Sequence, residues 1–211
     1  MLNVLIAGVG GQGSVLAAKI LAQAAMEKGW QVRTAETIGM AQRGGNVTSH
    51  VRIGNAGETV HAPLLASKTA DVIIALEPGE GLRALPFAGP DTLMVCARTP
   101  IPSVMGSLSG ASYDGDAIID YLRGALPHFV AVDDAAICND IGSRKALNVV
   151  MLTAAIQASL ASACGLGEAV SLDELKAALK TCVKERFIAL NLQAVEAAVE
   201  SLDSDASTST R

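Results

Sequence analysis

A glycine-rich turn directly after an apolar run near the start of the chain restricts its fold more than any other feature. The run Val4-Leu5-Ile6-Ala7 leads into glycines spaced as G-x-G-x-x-G, and an apolar-periodic segment begins at residue 14. Glycine permits positive φ and close backbone approach, and the free N–H groups at the start of a helix favour an anion. The pattern predicts a strand, a tight turn and a helix. The candidate phosphate-binding or interface loop consists of Gly8, Gly10, Gly11, Gln12 and Gly13.

The turn by itself leaves two interpretations open, since the same glycines serve any tight turn at which a helix packs closely on a sheet. Residues 14–28 have helical periodicity up to Gly29, and residues 31–36 read as a second strand. Glu36 therefore lies near the position where a dinucleotide-binding fold has the carboxylate that binds a ribose hydroxyl. A parallel β-α-β opening with a right-handed crossover is the default expectation. A stand-alone NAD-binding dehydrogenase or nucleotide-binding module is thus one candidate function.

The next stretch departs from that plan, because residues 37–45 form a polar, glycine-punctuated loop. Residues 46–53 then alternate like a strand, and residues 58–61 are predicted to return beside them as a hairpin. An antiparallel element at this point makes the expected sheet mixed, although mainly parallel.

The remaining pattern predicts an α/β fold, a three-layer α/β/α Rossmann-like domain with an antiparallel hairpin and C-terminal helices. Strands are expected at residues 71–76, 92–96 and 129–132, and helices at residues 79–85, 117–126, 143–164, 171–180 and 184–200. Ser171 and Glu174 have the spacing of a capping box for one of these helices. A single domain is predicted over residues 1–200, followed by a polar, disordered tail at residues 201–211.

Composition excludes several classes of partner. The net charge is −5, and Lys and Arg do not cluster, so neither nucleic acid nor a membrane surface is expected as a partner. A mean hydropathy of +0.38 without an apolar run of about 18 residues indicates buried subunit interfaces. The N-terminus lacks a basic export region, which favours a cytoplasmic protein. The four cysteines lack C-x-x-C spacing and are predicted to be buried small hydrophobic residues, and no metal ligands are expected among the histidines His50, His61 and His128.

Three further stretches carry a resemblance to a known family. The loop reads Gly39-Met40-Ala41-Gln42-Arg43-Gly44-Gly45, and the buried strand after it reads Asp71-Val72-Ile73-Ile74-Ala75-Leu76-Glu77-Pro78. With the glycine turn, and with the helix start at Arg144-Lys145-Ala146-Leu147-Asn148, these stretches resemble the gamma-type subunits of 2-oxoacid:ferredoxin oxidoreductases. Within that family the chain is most similar to the smaller, beta subunits of the indolepyruvate enzymes. The resemblance covers roughly residues 3–195.

The resemblance implies a subunit of a larger enzyme that is inactive alone. A larger catalytic (alpha) subunit is expected to hold thiamine diphosphate, Mg²⁺ and iron–sulfur clusters, with none bound by this chain alone. Coenzyme A is the implied co-substrate and ferredoxin the electron acceptor, so that aryl pyruvates yield aryl-acetyl-CoA. The protein contributes orientation, electrostatics and exclusion of water, here as a wall of the active-site region. The isolated chain is also a candidate homodimer, and a related complex acting on pyruvate or 2-oxoglutarate is the alternative within the family.

Candidate substrate-binding or interface residues follow from the same motifs, and no residue of this chain is predicted to be catalytic. They are Glu36, Gln42, Arg43, Gly44, Gly45 and Glu77. Arg43 is suited to a two-pronged contact with a carboxylate or phosphate. An ion pair of Arg43 with Glu36 or Glu77 that fixes the loop is the equal alternative. Glu36 and Glu77 are expected to cap backbone groups or face the partner rather than act as acid or base.

Overall fold

Six strands form one mixed sheet, with the order β2-β3-β1-β4-β5-β6. The structure is a computed structural model that describes the backbone of residues 1–39, 45–54, 57–102, 113–162 and 164–208, with side chains to residue 203. The strands are β1 (Leu2–Val9), β2 (Gln31–Ile38), β3 (Asn46–Gly54), β4 (Ala70–Ala75), β5 (Ala88–Ala97) and β6 (His128–Val132). Strand β1 pairs in parallel with β4, β4 with β5, and β5 with β6, whereas β3 is antiparallel to both β1 and β2. The predicted mixed, mainly parallel sheet is confirmed.

The position of β3 corrects two details of the prediction. Strand β3 lies between β1 and β2, so the opening is not an adjacent parallel pair, and β2 is its hairpin partner in an unbroken register from Gln31–Gly54 to Ile38–Val47. A short connection suffices for an antiparallel pair, whereas adjacent parallel strands need a crossover. The predicted partner, residues 58–61, is not a strand. Instead, the Val60 N–H donates to the Gln31 side chain and the Val60 carbonyl accepts from Arg33.

Helices cover both faces of the sheet. They are α1 (Ser14–Glu27), α2 (Pro78–Ala84), α3 (Gly115–Ala125), α4 (Asp134–Asp140), α5 (Leu147–Leu160), α6 (Leu166–Ala169), α7 (Leu172–Cys182) and α8 (Ile188–Thr208). Helices α1 and α5 pack on one face, with α7 and α8 outside them, and α2 and α3 pack on the other. The three-layer α/β/α architecture is therefore confirmed.

Helix α5 is the central helix of the larger core. Its sequence, from Leu147 to Ile156, is buried at every position, because the sheet lies on one side of the helix and α8 on the other. A helix that is apolar all round its circumference belongs in such an interior.

Two helix ends formed as predicted, and the structure differs from the prediction in two other regions. Helix α1 ends in a Schellman motif, in which Gly29 has φ 76° and Trp30 N–H bonds to the Ala25 carbonyl. Ser171 and Glu174 form the predicted capping box of α7. Helix α4 was not predicted from the sequence. Helix α8 continues to Thr208, through residues predicted to belong to a disordered tail.

Candidate functional site

The glycine turn lies at the carboxyl end of β1, next to the carboxyl end of β4. Gly11 and Gly13 have φ values of 101° and 85°, in the left-handed region that favours glycine. Gly13 is the N-cap of α1 and has no side chain to bond the first N–H groups of the helix. The turn also contacts the residue before β3, since the Gly10 N–H donates to the Gly45 carbonyl at 2.8 Å. Strand, tight turn and helix are thus formed as predicted.

The Gln12 side chain joins the ends of two parallel strands. Its Oε1 accepts from the Val9 N–H at 2.7 Å, and its Nε2 donates to the Leu76 carbonyl at 2.7 Å. Both ends of the amide are therefore bonded within the chain. In the structure this side chain fixes the turn against β4, and the role predicted for the loop toward a ligand or partner stays a prediction.

Two glycines of the turn allow close packing against neighbouring elements. A Cβ on Gly8 would lie 3.0 Å from Leu76 Cδ1 and 3.1 Å from Gln12 Oε1. A Cβ on Gly13 would lie 3.0 Å from Nδ2 of the buried Asn148, which donates to the Gly13 carbonyl at 3.3 Å. These glycines thus bring β4 and the first turn of α5 against the loop.

Glu77, at the end of β4, is a buried capping residue. Only 2% of it is exposed. Its Oε2 accepts from the Glu80 N–H at 3.0 Å as the N-cap of α2, and its Oε1 accepts from the Ile101 N–H at 3.2 Å. The Tyr113 hydroxyl donates to the same Oε1. Of the two expected roles for Glu77, capping is the one observed.

Tyr113 completes this buried group and was not predicted. Its hydroxyl accepts from the Gly79 N–H at 2.8 Å while it donates to Glu77. Burial raises the pKa of the Tyr113 hydroxyl, and the hydrogen bond to the Glu77 carboxylate raises it further. Tyr113 therefore stays protonated and joins the region before α3 to the end of β4. A lone tyrosine in a loop gave no sequence signal for this contact.

A second buried carboxylate lies at the ends of β5 and β6. Asp134 is fully buried, accepts from the Thr99 N–H at 2.9 Å, and pairs with the Arg144 guanidinium at 3.0 Å. Arg144 precedes Asn148 by one helical turn, so the start of α5 contacts both this group and the glycine turn. The sequence marked this helix start through the family resemblance but did not identify Asp134.

His50 lies in a cavity of about 200 Å³ on the α2 face of the sheet, among Thr37, Thr48, Glu80 and Phe87. Its Nδ1 accepts from the Leu65 N–H at 3.3 Å, and its ring meets Phe87 edge to face. Burial lowers the pKa of His50. These contacts give His50 a structural role in the packing of this face.

Burial has the opposite effect on the carboxylate in the same cavity. It raises the pKa of Glu80, an effect that the Arg83 guanidinium opposes and the nearby Glu77 reinforces.

Among the other predicted site residues that the structure describes, Gly45 contacts the turn and Glu36 does not. Glu36 is an exposed residue of β2, and β3 separates β2 from β1. Two strand spacings amount to about 9–10 Å, so Glu36 is not beside the turn as a ribose-binding carboxylate would be. Gln42, Arg43 and Gly44 lie outside the described residues, and the roles predicted for them stay predictions.

The described residues also limit the metal and thiol chemistry of this chain. Across residues 1–39, 45–54, 57–102, 113–162 and 164–203, no group of three or more His, Cys, Asp or Glu is placed to hold a metal ion. The cysteines are free, with Cys96 and Cys138 buried and Cys164 and Cys182 partly exposed. Within the same part of the chain, no helix has the length and apolarity needed to cross a bilayer.

The sheet and the polar groups at its carboxyl edge define a Rossmann-like α/β subunit with one antiparallel strand inserted beside β1. Residues 3–201 match the family model for pyruvate ferredoxin/flavodoxin oxidoreductase, and the chain belongs to that family. It is 38% identical, over 92% of both chains, to the indolepyruvate oxidoreductase subunit IorB of Archaeoglobus fulgidus. The corresponding subunit of Thermococcus kodakarensis is 32% identical over 94% of both chains. The chain is thus a subunit of a 2-oxoacid:ferredoxin oxidoreductase, as the resemblance implied.

Solved structures share the fold. A keto/oxoacid ferredoxin oxidoreductase gamma subunit from Geobacter sulfurreducens has a TM-score of 0.65 at 22% identity, and the match covers 95% of this chain and 98% of that one. The 2-oxoglutarate:ferredoxin oxidoreductase of Magnetococcus marinus, solved with 2-oxoglutarate, coenzyme A and succinyl-CoA bound, has a TM-score of 0.68 at 21% identity. That match covers 96% of this chain and 31% of the other. The same fold thus occurs as a separate subunit and within a longer chain.

Proposed function

We propose that this chain is the smaller subunit of an indolepyruvate:ferredoxin oxidoreductase. The observation that carries the proposal is the 38% identity over 92% of both chains to a subunit with that name. The match to the pyruvate/ketoisovalerate common subunit gamma of Pyrococcus furiosus is 37% identical but covers only 37% of this chain. The extent of the first match favours aryl pyruvates over pyruvate as substrates.

The described residues support a positioning role within the assembled enzyme. Gln12, Glu77 and Asp134 all lie at the carboxyl edge of the sheet, and each holds a loop in place through hydrogen bonds within the chain. In α/β proteins this edge is where ligands bind. We infer that the edge forms a preorganised wall against a larger subunit.

In this proposal the larger subunit would hold thiamine diphosphate with Mg²⁺ and the iron–sulfur clusters, which would supply the carbanion and electron-transfer chemistry. Coenzyme A would be the acyl acceptor and ferredoxin the electron acceptor. In this proposal the small subunit, probed alone, has no turnover. Its contribution is to orient the reactants and exclude water.

The proposal is tested by producing this chain with an affinity tag in its native cells and purifying the complex that it forms from their cytoplasm. The captured complex should contain thiamine diphosphate and iron, measured by thiochrome fluorescence and an iron assay. With coenzyme A and ferredoxin, its kcat/KM for indolepyruvate should exceed that for pyruvate and for 2-oxoglutarate by about 100-fold, or ~2.7 kcal/mol of transition-state discrimination. This chain and the larger subunit, assayed separately, are the controls. A preference for pyruvate or 2-oxoglutarate would contradict the proposal and support assignment to the alternative complex.

Arg43 remains our candidate for contact with a substrate carboxylate or a coenzyme phosphate in the assembled enzyme. Arg43→Gln should then raise the KM for the 2-oxoacid or for coenzyme A, whichever Arg43 contacts, by about tenfold. The kcat should change little, since only a charge-assisted bond to the bound ligand is lost. The exposed Arg123, which pairs with Asp120 on α3, provides the matched control Arg123→Gln. Loss of subunit assembly with an unchanged KM would support the alternative, an ion pair that fixes the loop.

A further inference from the structure

Strand β2 leaves one edge of the sheet open. It pairs with β3 over its whole length, from Gln31 to Ile38, and within the described residues its other side pairs with no strand. Six of its eight residues are exposed. Within the part of the chain that the structure describes, the backbone N–H and C=O groups on that side are therefore available to another strand.

Within the described residues, no proline, bulge or further strand blocks this edge. The strand contains no lysine, its two charged residues, Arg33 and Glu36, have opposite signs, and its register with β3 is unbroken. Ile38 is 66% exposed at one end of the strand, and Val32 lies near the other end on the same face. Soluble proteins usually protect a long edge strand with proline, lysine, a bulge or a covering segment, so a long edge that has only two charges of opposite sign favours a complementary partner.

We propose that a second copy of this chain pairs antiparallel with β2, about a two-fold axis perpendicular to the sheet, with Ala35 opposite Ala35. Such an axis keeps each face of the sheet on the same side in both copies. Val32 then lies opposite Ile38 of the second copy, twice by symmetry. Arg33 lies opposite Thr37, and Thr34 opposite Glu36. The two sheets join into one of twelve strands.

The neighbouring registers are less favourable because of the charges on β2. Placing residue 33 on the axis opposes two Arg33 side chains, and placing residue 36 there opposes two Glu36 side chains; like charges directly opposite destabilise a strand pair. Placing Thr34 on the axis sets Val32 against Glu36. Only the Ala35 register pairs the two apolar residues with each other and leaves no like charges opposed. This complementarity of the edge with itself favours a second copy over an unrelated strand.

The inference does not depend on the proposed function, and its test uses the full-length chain without the larger subunit. Sedimentation equilibrium should show a dimer for the wild-type chain. Ile38→Lys should raise the dimer Kd by at least about tenfold, or ~1.4 kcal/mol, because it places a charge in both apolar pairs. Leu160→Lys, at an equally exposed position (62%) at the end of α5, should leave the Kd unchanged. Circular dichroism should show that both variants are folded, since both side chains are exposed.

Disulfide trapping tests the register. Ala35→Cys should form an intermolecular disulfide under mild oxidation, since directly opposed residues have Cα atoms about 4.5–5.5 Å apart. Thr34→Cys should form no more intermolecular disulfide than the wild-type chain, because the two Thr34 residues are diagonal neighbours in this register, about 7–8 Å apart. Efficient trapping through Thr34→Cys instead would overturn the register. A monomeric chain at all concentrations, or protection of β2 amides from hydrogen exchange only when the larger subunit is added, would overturn self-pairing.

Discussion

Single side chains at the carboxyl edge of the sheet determine how its loops are held. Gln12 bonds the Val9 N–H and the Leu76 carbonyl, two backbone groups at the ends of neighbouring strands. Gln12→Ala should therefore lower the free energy of unfolding by about 1–3 kcal/mol, measured by urea denaturation. Gln23→Ala is the matched control, because its amide bonds only the exposed Glu27 side chain. Equal effects of the two substitutions would contradict the role assigned to Gln12.

His50 gives the fold a pH dependence at the same scale. Burial lowers the pKa of His50 in the folded state below its unfolded value of about 6.5. The unfolded chain then binds the proton more tightly, so the contribution of His50 to stability is complete above that value and is lost as the pH falls toward the lowered pKa. In His50→Asn, the free energy of unfolding should therefore fall less steeply as the pH is lowered below about 6.5, as measured by urea denaturation at a series of pH values. His61→Asn, at an exposed position, should retain the wild-type slope.

At the scale of the element, glycine has opposite effects at a helix end and within a helix. Gly29 ends α1 at φ 76°, where no atom would touch an added Cβ, so Gly29→Ala should cost about 1–2 kcal/mol through backbone strain alone. Gly124 lies exposed inside α3, also with open space around it. Gly124→Ala should add about 0.5–1 kcal/mol of stability, because glycine is a poor helix former. Thermal unfolding of both variants should shift in opposite directions, and shifts of the same sign would disprove this account.

At the scale of the whole molecule, the insertion of β3 separates this fold from a dinucleotide-binding one. The strand places Glu36 about two strand spacings, 9–10 Å, from the glycine turn on β1. Calorimetric titration of the purified chain with NAD(H) should therefore show no binding at micromolar concentrations. Micromolar binding by the chain alone would restore the dehydrogenase as a candidate.

The local sequence pattern was sufficient to predict those features whose conformation is decided by residues close together in the chain. The Schellman end at Gly29 and the Ser171 capping box depend on contacts within a few residues, and the turn from Gly8 to Gly13 depends on the positive φ of its own glycines. Each formed as predicted. The β3 hairpin was assigned to the wrong partner, because alternation reveals a strand without revealing its neighbour. Tyr113 and Asp134 were missed since their partners, Glu77 and Arg144, lie on other elements.

The sequence by itself determined the class of this protein, because hydrophobic periodicity, glycine positions and the order of motifs are properties of the chain. It specified an α/β fold with a mixed sheet whose first strand leads into a glycine turn, and it indicated the oxidoreductase family. Tertiary structure alone decided that β3 lies beside β1, that Gln12 bonds the Leu76 carbonyl and Glu77 bonds Ile101 and Tyr113, and that β2 is an edge strand among the described residues. These outcomes arise from packing between distant segments, in which burial and the pairing of polar groups select one arrangement among many that the local pattern permits.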